Sequence, residues 1–166
     1  MACLSAWLSR AAFAAALSVF ASAVQAKPEY CAFLAPEDFK AAGIVGAAKP
    51  SYNPDQVGAY CVYAGKSSAL GGIEFDIFVA SSVREADEIW ANVRPASTKR
   101  ESVAKALPPA DKAELAGESG PYKFTALGVK RGRVVFHVGV PNAPGSREAV
   151  LALAKLVLKR TGHLGR

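Results

Sequence analysis

The sequence predicts an α+β fold, an antiparallel sheet of four or more strands built from two β-β-α units with a short N-terminal helix and one disulfide. Three observations support this prediction. Residues 60–93 and 122–158 repeat the same order of two apolar strands and a Ser-capped helix. Residues 72–80, GIEFDIFVA, alternate in polarity as a half-buried strand does. Two cysteines, Cys31 and Cys61, can brace the N-terminal helix against the first of these strands.

Residues 1–26 have the layout of a secretory signal peptide. A single cation, Arg10, precedes an apolar run over residues 11–24, and small residues occupy the positions that a signal peptidase reads before Ala26. The run has 14 residues, which is shorter than the roughly 20 that a membrane-spanning helix needs. We therefore expect cleavage after Ala26, with Ala23 as second choice, and favour this over an uncleaved anchor.

Residues 27–166 are expected to form a single α+β domain that is periplasmic or secreted. Its 140 residues suffice to bury roughly two-thirds of the unfolded surface. Only one of the 20 basic residues lies in the leader, so the net charge is 19 minus 14, or +5. Residues 27–120 hold 10 basic and 13 acidic residues, whereas 121–166 hold 9 basic residues and one acid. A basic C-terminal third can bind an anionic partner without defining which one.

Cys31 and Cys61 are the cysteines that remain after leader removal, and in an oxidising compartment two such cysteines usually pair. The disulfide would close a loop of about 31 residues and restrict the unfolded chain by roughly 3 to 4 kcal/mol. Free structural thiols are an alternative. A reactive thiol is disfavoured because aromatic residues, and no bases, flank both cysteines. A lipid anchor on Cys31 is disfavoured because Pro-Glu-Tyr precedes it in place of small and aliphatic residues.

The N-terminal half of the domain begins with a short helix predicted over residues 36–42. Proline stands at its first position, acids follow in the first turn, and Gly43 ends it. A loop rich in proline and glycine leads to strands over residues 60–64 and 72–80.

The next helix is predicted from Ser82, which forms a capping box with Glu85, to the residue before Pro95. Its apolar residues recur at helical spacing, and charged residues occupy the other side. Residues 95–120 are polar and alanine-rich with a Pro-Pro break, so we predict a long mobile loop with one or two helical turns there.

The C-terminal unit is predicted as strands over residues 122–129 and 133–140, joined by a tight turn at Gly132. Ser146 is expected to cap the last helix, and Gly162 to end it.

The expected hairpin register pairs Leu127 with Phe136. Both long helices are expected on one face of the sheet, where they would bury the apolar side chains of the strands. Helices on both faces remain an open alternative, because Phe78, Phe124 and Val135 make the second face apolar as well.

A ligand-binding face is predicted on the hairpin, at Tyr122, Phe124, Val135 and His137, partly covered by residues 95–120. The competing interpretation is that this face packs as a second small core. His137 has no acid or serine tied to it by local spacing, so a structural histidine is the alternative to a base or a ligand contact.

Glu74 and Asp76 point to the same face of a strand, where two carboxylates can divide acid and base roles or hold a cation. A solvated strand face is the more ordinary interpretation. The chain has no GxSxG, HExxH or phosphate-binding glycine loop. We therefore expect no catalytic residues, cofactor or metal site. A small hydrolase using His137 with a nearby acid is the alternative, favoured if a pocket brings Glu74 or Asp76 within hydrogen-bond reach.

Lys130, Arg131 and Arg133 cluster at the predicted hairpin tip and are candidate contacts for an anionic partner of the cell envelope. Nucleic acid is disfavoured because the tip has no aromatic residue for stacking and export removes the usual target. An assembly or structural factor acting through the basic C-terminal third is a further alternative.

Five stretches carry a resemblance: CAFLAPEDFKAAG, CVY, LAGESGPYK, LGVKRGRVVFHVGV and LALAK. In them the chain resembles the extracytoplasmic sensor domains of some bacterial serine/threonine kinases and related secreted or lipidated modules. It departs from that pattern in having neither a membrane helix nor a lipobox, and LAGES does not keep the acid-then-alanine order. The resemblance implies a disulfide-braced binding or interaction module for an unknown small molecule or envelope component, with no transmembrane anchor after processing.

Overall fold

The structure is a computed structural model that describes residues 28–44, 50–52, 59–63, 73–119 and 123–164. The interpretation of residues 1–26 as a signal peptide lies outside the described residues, as does Tyr122 of the predicted ligand face.

The described residues form an antiparallel sheet flanked by three α-helices. The strands are β1 (Pro50–Tyr52), β2 (Ala59–Tyr63), β3 (Ile73–Val79), β4 (Glu101–Ser102), β5 (Lys112–Ser119), β6 (Phe124–Arg131) and β7 (Val134–Pro141). The helices are α1 (Pro36–Ala41), α2 (Val83–Val93) and α3 (Ser146–Arg160), with 3₁₀ helices at Pro28–Phe33 and Ala104–Ala106. The strand order is β1-β2-β3-β7-β6-β5-β4, and five of these strands have five or more residues. The predicted α+β class and the short N-terminal helix are confirmed.

The two β-β-α units, β2-β3-α2 and β6-β7-α3, join where β3 pairs with β7. The pairing is antiparallel and places Phe75 opposite Val138 and Asp76 opposite His137. Because side chains alternate along a strand, each face of the sheet then collects residues from both units.

The long helices lie on opposite faces of the sheet, so their expected placement on one face is wrong. α3 covers the larger core, in which Phe75, Leu127 and Phe136 are fully buried. Trp90 of α2 packs against Val135 on the other face. The apolar residues that alternation directs to this second face need cover, and α2 supplies it.

Gly128 allows α2 to approach the sheet closely. A Cβ added to this residue would lie 3.1 Å from Cδ of Pro95 and 3.2 Å from Cζ3 of Trp90. Because Gly128 has no side chain, the indole ring of Trp90 fits against β6 at this position.

The segment 95–120 contains structure where the sequence predicts a mobile loop, and that prediction is wrong for β5. Ala113 and Leu115 of β5 are buried in the larger core, together with Val103 and Leu107. The sequence does not predict this strand because KAELAGES is rich in residues of low β propensity. Its position is fixed by pairing with β6 and by core contacts.

The β6–β7 hairpin has a register two residues away from the expected one. Leu127 pairs with Val138, and the expected pairing of Leu127 with Phe136 is wrong. Gly132, with φ of 53°, occupies the first position of the two-residue turn. A shift of two residues preserves alternation, so every side chain of the hairpin keeps its expected face.

The N-cap residue that the sequence predicts is correct for α2 and wrong for α3. The Oγ of Ser82 accepts a hydrogen bond from the N–H of Glu85 at 3.1 Å, as expected. α3 begins differently, because Gly145, with φ of 85°, is the N-cap residue and Ser146 is the first residue of the helix. The Ser146 hydroxyl instead accepts from the N–H of Ala143 at 2.9 Å and donates to the carbonyl of Pro141 at 2.8 Å. It therefore fixes the β7–α3 loop.

A disulfide between Cys31 and Cys61 ties the N-terminal segment to β2, as the sequence predicts. Tyr63 reinforces this attachment, since its hydroxyl lies 2.7 Å from the carbonyl oxygen of Cys31 and 2.8 Å from that of Leu34. Burial raises the pKa of the Tyr63 phenol above its ordinary range. The ring of Phe39 in α1 packs against the Tyr63 ring at an angle of 55°, with centroids 4.6 Å apart. α1 therefore packs on the sheet, and the segment before it is attached to β2 by a covalent bond.

Candidate functional site

The predicted ligand face does not form an open groove in the part of the chain that the structure describes. Phe124, Val135 and His137 do share the α2 face of the sheet, as expected. Val135, however, has 0% exposure and belongs to the small core beneath α2. Phe124 is also buried. Val135 is thus a core residue, as the competing interpretation of this face proposed.

His137 lies beside two acids that local sequence spacing could not connect to it. Asp76 faces it across the β3–β7 pair, and Glu74 faces Gly139 two residues along the same strands. The Nδ1 atom of His137 is 3.8 Å from Oδ2 of Asp76, just beyond hydrogen-bond distance. We refer to Glu74, Asp76 and His137 as the acid–imidazole cluster.

The titration of the acid–imidazole cluster is governed by burial. Desolvation, with a smaller contribution from Glu74, raises the pKa of Asp76 to about 7. Desolvation lowers the pKa of His137 to about 4 and raises the pKa of Glu74. Around neutral pH, His137 is therefore a neutral imidazole and the carboxyl group of Asp76 is only partly ionised. The two side chains do not form an ion pair.

The chemical capacity of the cluster is that of a general acid or base. A carboxyl group whose pKa lies near the working pH is well suited to proton transfer. Oδ1 of Asp76 and Nδ1 of His137 are nevertheless buried, and neither has a hydrogen-bond partner. The side chains of Asp76 and His137 retain only 21% and 13% exposure. The cluster can therefore transfer protons in principle, but two of its polar atoms, Oδ1 of Asp76 and Nδ1 of His137, are not accessible in this conformation.

The predicted basic tip is not a free cationic surface. Lys130 is buried on the α2 face, where its Nζ lies 3.1 Å from Asp87 of α2. Arg131 points to the other face and donates to the carbonyl of Leu158, in the last turn of α3, at 3.2 Å. Arg133 occupies the second position of the turn. Alternation along β6 thus sends the first two cations to opposite helices.

Part of the charge asymmetry of the sequence is used within the fold, where three basic residues of the C-terminal third pair with acids. Arg160 of α3 forms a bidentate pair with Asp38 of α1. Arg147 of α3 forms another with Glu101, at 2.7 and 2.9 Å. Together with the pair between Lys130 and Asp87, these contacts join cations of the C-terminal third to acids of the preceding segment. The three pairs therefore link the C-terminal unit to α1, α2 and β4.

Two cavities flank the β7–α3 loop, and we name them the apolar cavity and the polar cavity. The apolar cavity has a volume of about 550 Å³ and lies between the C-terminal end of α1 and the start of α3. Its walls include Ala42, Ile44, Val140, Pro144 and Ala149. None of the described residues that line it has an ionisable side chain. Such a lining favours an uncharged, aliphatic part of a ligand.

The polar cavity, of about 360 Å³, lies on the other side of the same loop. The ion pair of Arg147 with Glu101 lies in its wall, as does Lys99. The hydroxyl of Thr125 donates to Oδ1 of Asn142 at 2.9 Å, which ties the loop to β6. This cavity therefore combines charged and hydrogen-bonding groups.

The described residues contain neither a cluster of metal ligands nor a membrane-spanning helix. Among them, no group of three or more His, Cys, Asp or Glu side chains could hold a metal ion. No helix within the described ranges is both long and apolar enough to cross a membrane.

Comparison with known proteins finds no matching family model and no similar curated protein. The resemblance to kinase sensor domains therefore rests on the sequence stretches quoted above. Function has to be argued from the two cavities and the acid–imidazole cluster.

Sequence reasoning missed the cavities and left the contact of Asp76 with His137 open, for identifiable reasons. This contact depends on β3 pairing with β7, two strands that are separated by α2, β4, β5 and β6 in the sequence. The cavities depend on α1 approaching the start of α3. A signal was present in the stretch PNAPG, whose two prolines and glycine before a helix indicate a rigid, irregular loop.

Proposed function

We propose that the protein is an exported, non-catalytic binding module that holds its ligand in the apolar cavity. Export is supported by the leader-like residues 1–26 and by the disulfide between Cys31 and Cys61, since disulfides persist in oxidising compartments. Binding is supported by the volume of the apolar cavity, about 550 Å³, which falls within the roughly 300 to 1,000 Å³ of small-molecule sites.

The observation that carries the proposal is that elements anchored independently of one another line a cavity whose described walls have no ionisable side chain. The segment that leads into α1 is held by the disulfide and by the hydroxyl of Tyr63, and the loop is held by Ser146. A site with fixed walls loses little conformational entropy on binding. The apolar lining then provides the favourable burial of an aliphatic ligand.

The experiment is a titration of the isotope-labelled protein with 1-decanol, followed by shifts of backbone amide resonances. We expect shifts concentrated at residues 42–44 and 143–149, the two sides of the apolar cavity. Saturable shifts elsewhere, or none, would contradict the proposal.

A small hydrolase is the second candidate, because Asp76 and His137 lie 3.8 Å apart on neighbouring strands. In that case Asp76 would serve as general acid and base, and His137 would position it. Hydrolysis of p-nitrophenyl acetate by the purified protein that is abolished in Asp76→Asn, and retained in Glu88→Gln, would favour this candidate over the binding module.

An assembly factor acting through the basic C-terminal third has less support. Lys130, Arg147 and Arg160 already pair with acids of the same chain. Their charge is therefore largely compensated before any anionic partner arrives.

A further inference from the structure

We propose that the ligand is an anionic amphiphile, whose aliphatic chain fills the apolar cavity and whose acidic headgroup occupies the polar cavity. This inference rests on the proposed binding function and adds the chemical class of the ligand. A long-chain carboxylate is the simplest molecule of this class.

The first argument is that the two cavities border the same loop and share two of its residues. Ala143 and Gly145 line both of them, so a ligand that occupies both cavities would cross the β7–α3 loop at these two residues. Both residues are exposed, and a Cβ added to Gly145 would meet no atom within 4 Å. The crossing point is therefore open to a chain that runs over the loop.

The second argument is the opposite character of the two linings. The described lining of the apolar cavity has no ionisable side chain, whereas Lys99, Glu101 and Arg147 line the polar cavity. A wholly apolar ligand would leave Lys99 without an anionic partner, and a small hydrophilic anion would leave the apolar walls exposed to water. A molecule with one apolar and one polar end matches both linings.

The third argument is the net charge of the polar cavity. Two cations and one acid line it, so its formal charge is 2 minus 1, or +1. Glu101 is engaged by Arg147 through two hydrogen bonds, which leaves Lys99 as the uncompensated cation among the described lining residues. The side chain of Lys99 is in no ion pair with a described acid. A single anionic headgroup would neutralise the cavity.

The start of α3 adds to the same preference. Gly145, its N-cap residue, provides no side-chain hydrogen bond to the first turn. The N–H of Ser146 donates to the carbonyl of Ala143 at 3.0 Å, but the cap offers no side-chain acceptor to the rest of the first turn, and the positive end of the helix dipole lies at this part of the loop. An acidic headgroup near Arg147 would supply one.

The test compares decanoate with 1-decanol, which share a chain and differ in headgroup charge, by calorimetric titration below the micellar concentration. For the wild-type protein we expect decanoate to bind roughly twofold to fivefold more tightly, the range of one exposed ion pair. Lys99→Gln should remove this advantage and leave decanol binding unchanged. Lys105→Gln, an exposed lysine outside both cavities, is the matched control and should keep the advantage.

The outcomes separate this inference from the proposed function. Equal binding of decanoate and decanol by the wild-type protein would overturn the headgroup assignment and leave the apolar cavity as a binding site. An equal loss in Lys99→Gln and Lys105→Gln would also overturn it, because the effect would then be one of overall charge. Binding of neither compound would overturn the inference and the proposed function together. Unchanged thermal unfolding of both variants establishes that they are folded.

Discussion

The acid–imidazole cluster and the pair of cavities are two regions with opposite properties. The cluster has strongly shifted pKa values, but Oδ1 of Asp76 and Nδ1 of His137 have no contact with solvent. The cavities are open, and the described lining of the apolar cavity has no ionisable side chain. A shifted pKa therefore reports burial, whereas binding requires accessible volume.

The two regions should also differ in what their residues do for stability. Buried polar atoms without partners cost free energy in the folded state. The walls of the cavities belong to elements that are held by the disulfide, by Ser146 and by Arg160. Changes in the cluster are therefore expected to alter stability and its pH dependence, and changes in the cavities to alter binding.

The largest expected effect comes from removing the disulfide, on which the α1 wall of the apolar cavity depends. The double variant Cys31→Ala with Cys61→Ala should lose about 3 to 4 kcal/mol of unfolding free energy, because the loop between the cysteines is no longer closed in the unfolded chain. Urea denaturation measures the loss. Decanol affinity should also fall, while the Asp76 pKa should not change. An unchanged urea midpoint would show that α1 is held by its other contacts alone.

The second prediction concerns how stability depends on pH. Within the acid–imidazole cluster, the contributions of Asp76 and His137 to the unfolding free energy change with pH in opposite directions. The pKa of Asp76 is raised to about 7 in the folded state, so its contribution to stability is lost as pH rises toward 7. The pKa of His137 is lowered to about 4, so its contribution is lost as pH falls from about 6.5 toward 4. The two slopes nearly cancel between these values in the wild-type protein.

Single substitutions should separate the two slopes. In His137→Gln, the unfolding free energy should fall by roughly 2 to 4 kcal/mol between about pH 4 and 7, as Asp76 loses its proton. In Asp76→Asn, it should rise by roughly 2 to 3 kcal/mol between about pH 4 and 6.5. Glu88→Gln, at an exposed acid of α2, should keep the wild-type profile. If the unfolding free energy of all three variants changed with pH in the same way, the side chains of the cluster would not be desolvated.

A third effect compares two glycines on the α2 face of the sheet. Gly128→Ala should cost about 1 to 3 kcal/mol, since the added Cβ would meet Trp90, Pro95 and Arg94 at 3.1 to 3.3 Å. Gly139→Ala, beside the cluster, should cost less than about 1 kcal/mol, because its nearest neighbour is Cε1 of the His137 side chain, at 3.3 Å. Thermal unfolding measures both. Equal costs would mean that the cluster is packed as rigidly as the α2 contact.

The smallest expected effect is the salt dependence of decanoate binding. Raising the ionic strength from about 0.01 to 0.15 M shortens the screening length from roughly 30 to 8 Å. Decanoate affinity should fall by less than about fivefold, and decanol affinity should stay constant. A larger fall would point to several cations in addition to Lys99, and a parallel fall for decanol would contradict a role for charge.

Most of the fold follows from local patterns, and the exceptions follow from contacts between distant residues. Alternation identifies β3, and Ser82 with Glu85 identifies the start of α2. β5 was missed because it depends on its partner strand and not on its own composition. The face chosen by each helix was left open because alternation made both faces of the hairpin apolar.

The candidate sites were predicted less well than the fold, for a physical reason. His137 was identified from its residue type, but the pairing of β3 with β7 decides that Asp76 lies beside it. Lys130 was expected at an exposed tip, but it lies 3.1 Å from Asp87 of α2, 43 positions away in the chain. Cavities arise from the approach of elements such as α1 and α3, which no local pattern encodes.

The most direct test of the account measures decanoate affinity in two variants side by side. Ala143→Phe places a ring at an exposed position shared by both cavities, whereas Asp76→Asn removes the ionisable group of Asp76 from the cluster at nearly constant side-chain shape. Ala152→Phe, at an exposed position of α3 outside the cavities, is the control for the added ring. We expect at least a tenfold loss, about 1.4 kcal/mol, in Ala143→Phe and wild-type affinity in the other two. Loss in Asp76→Asn with full binding in Ala143→Phe would contradict the account and place the site at the acid–imidazole cluster.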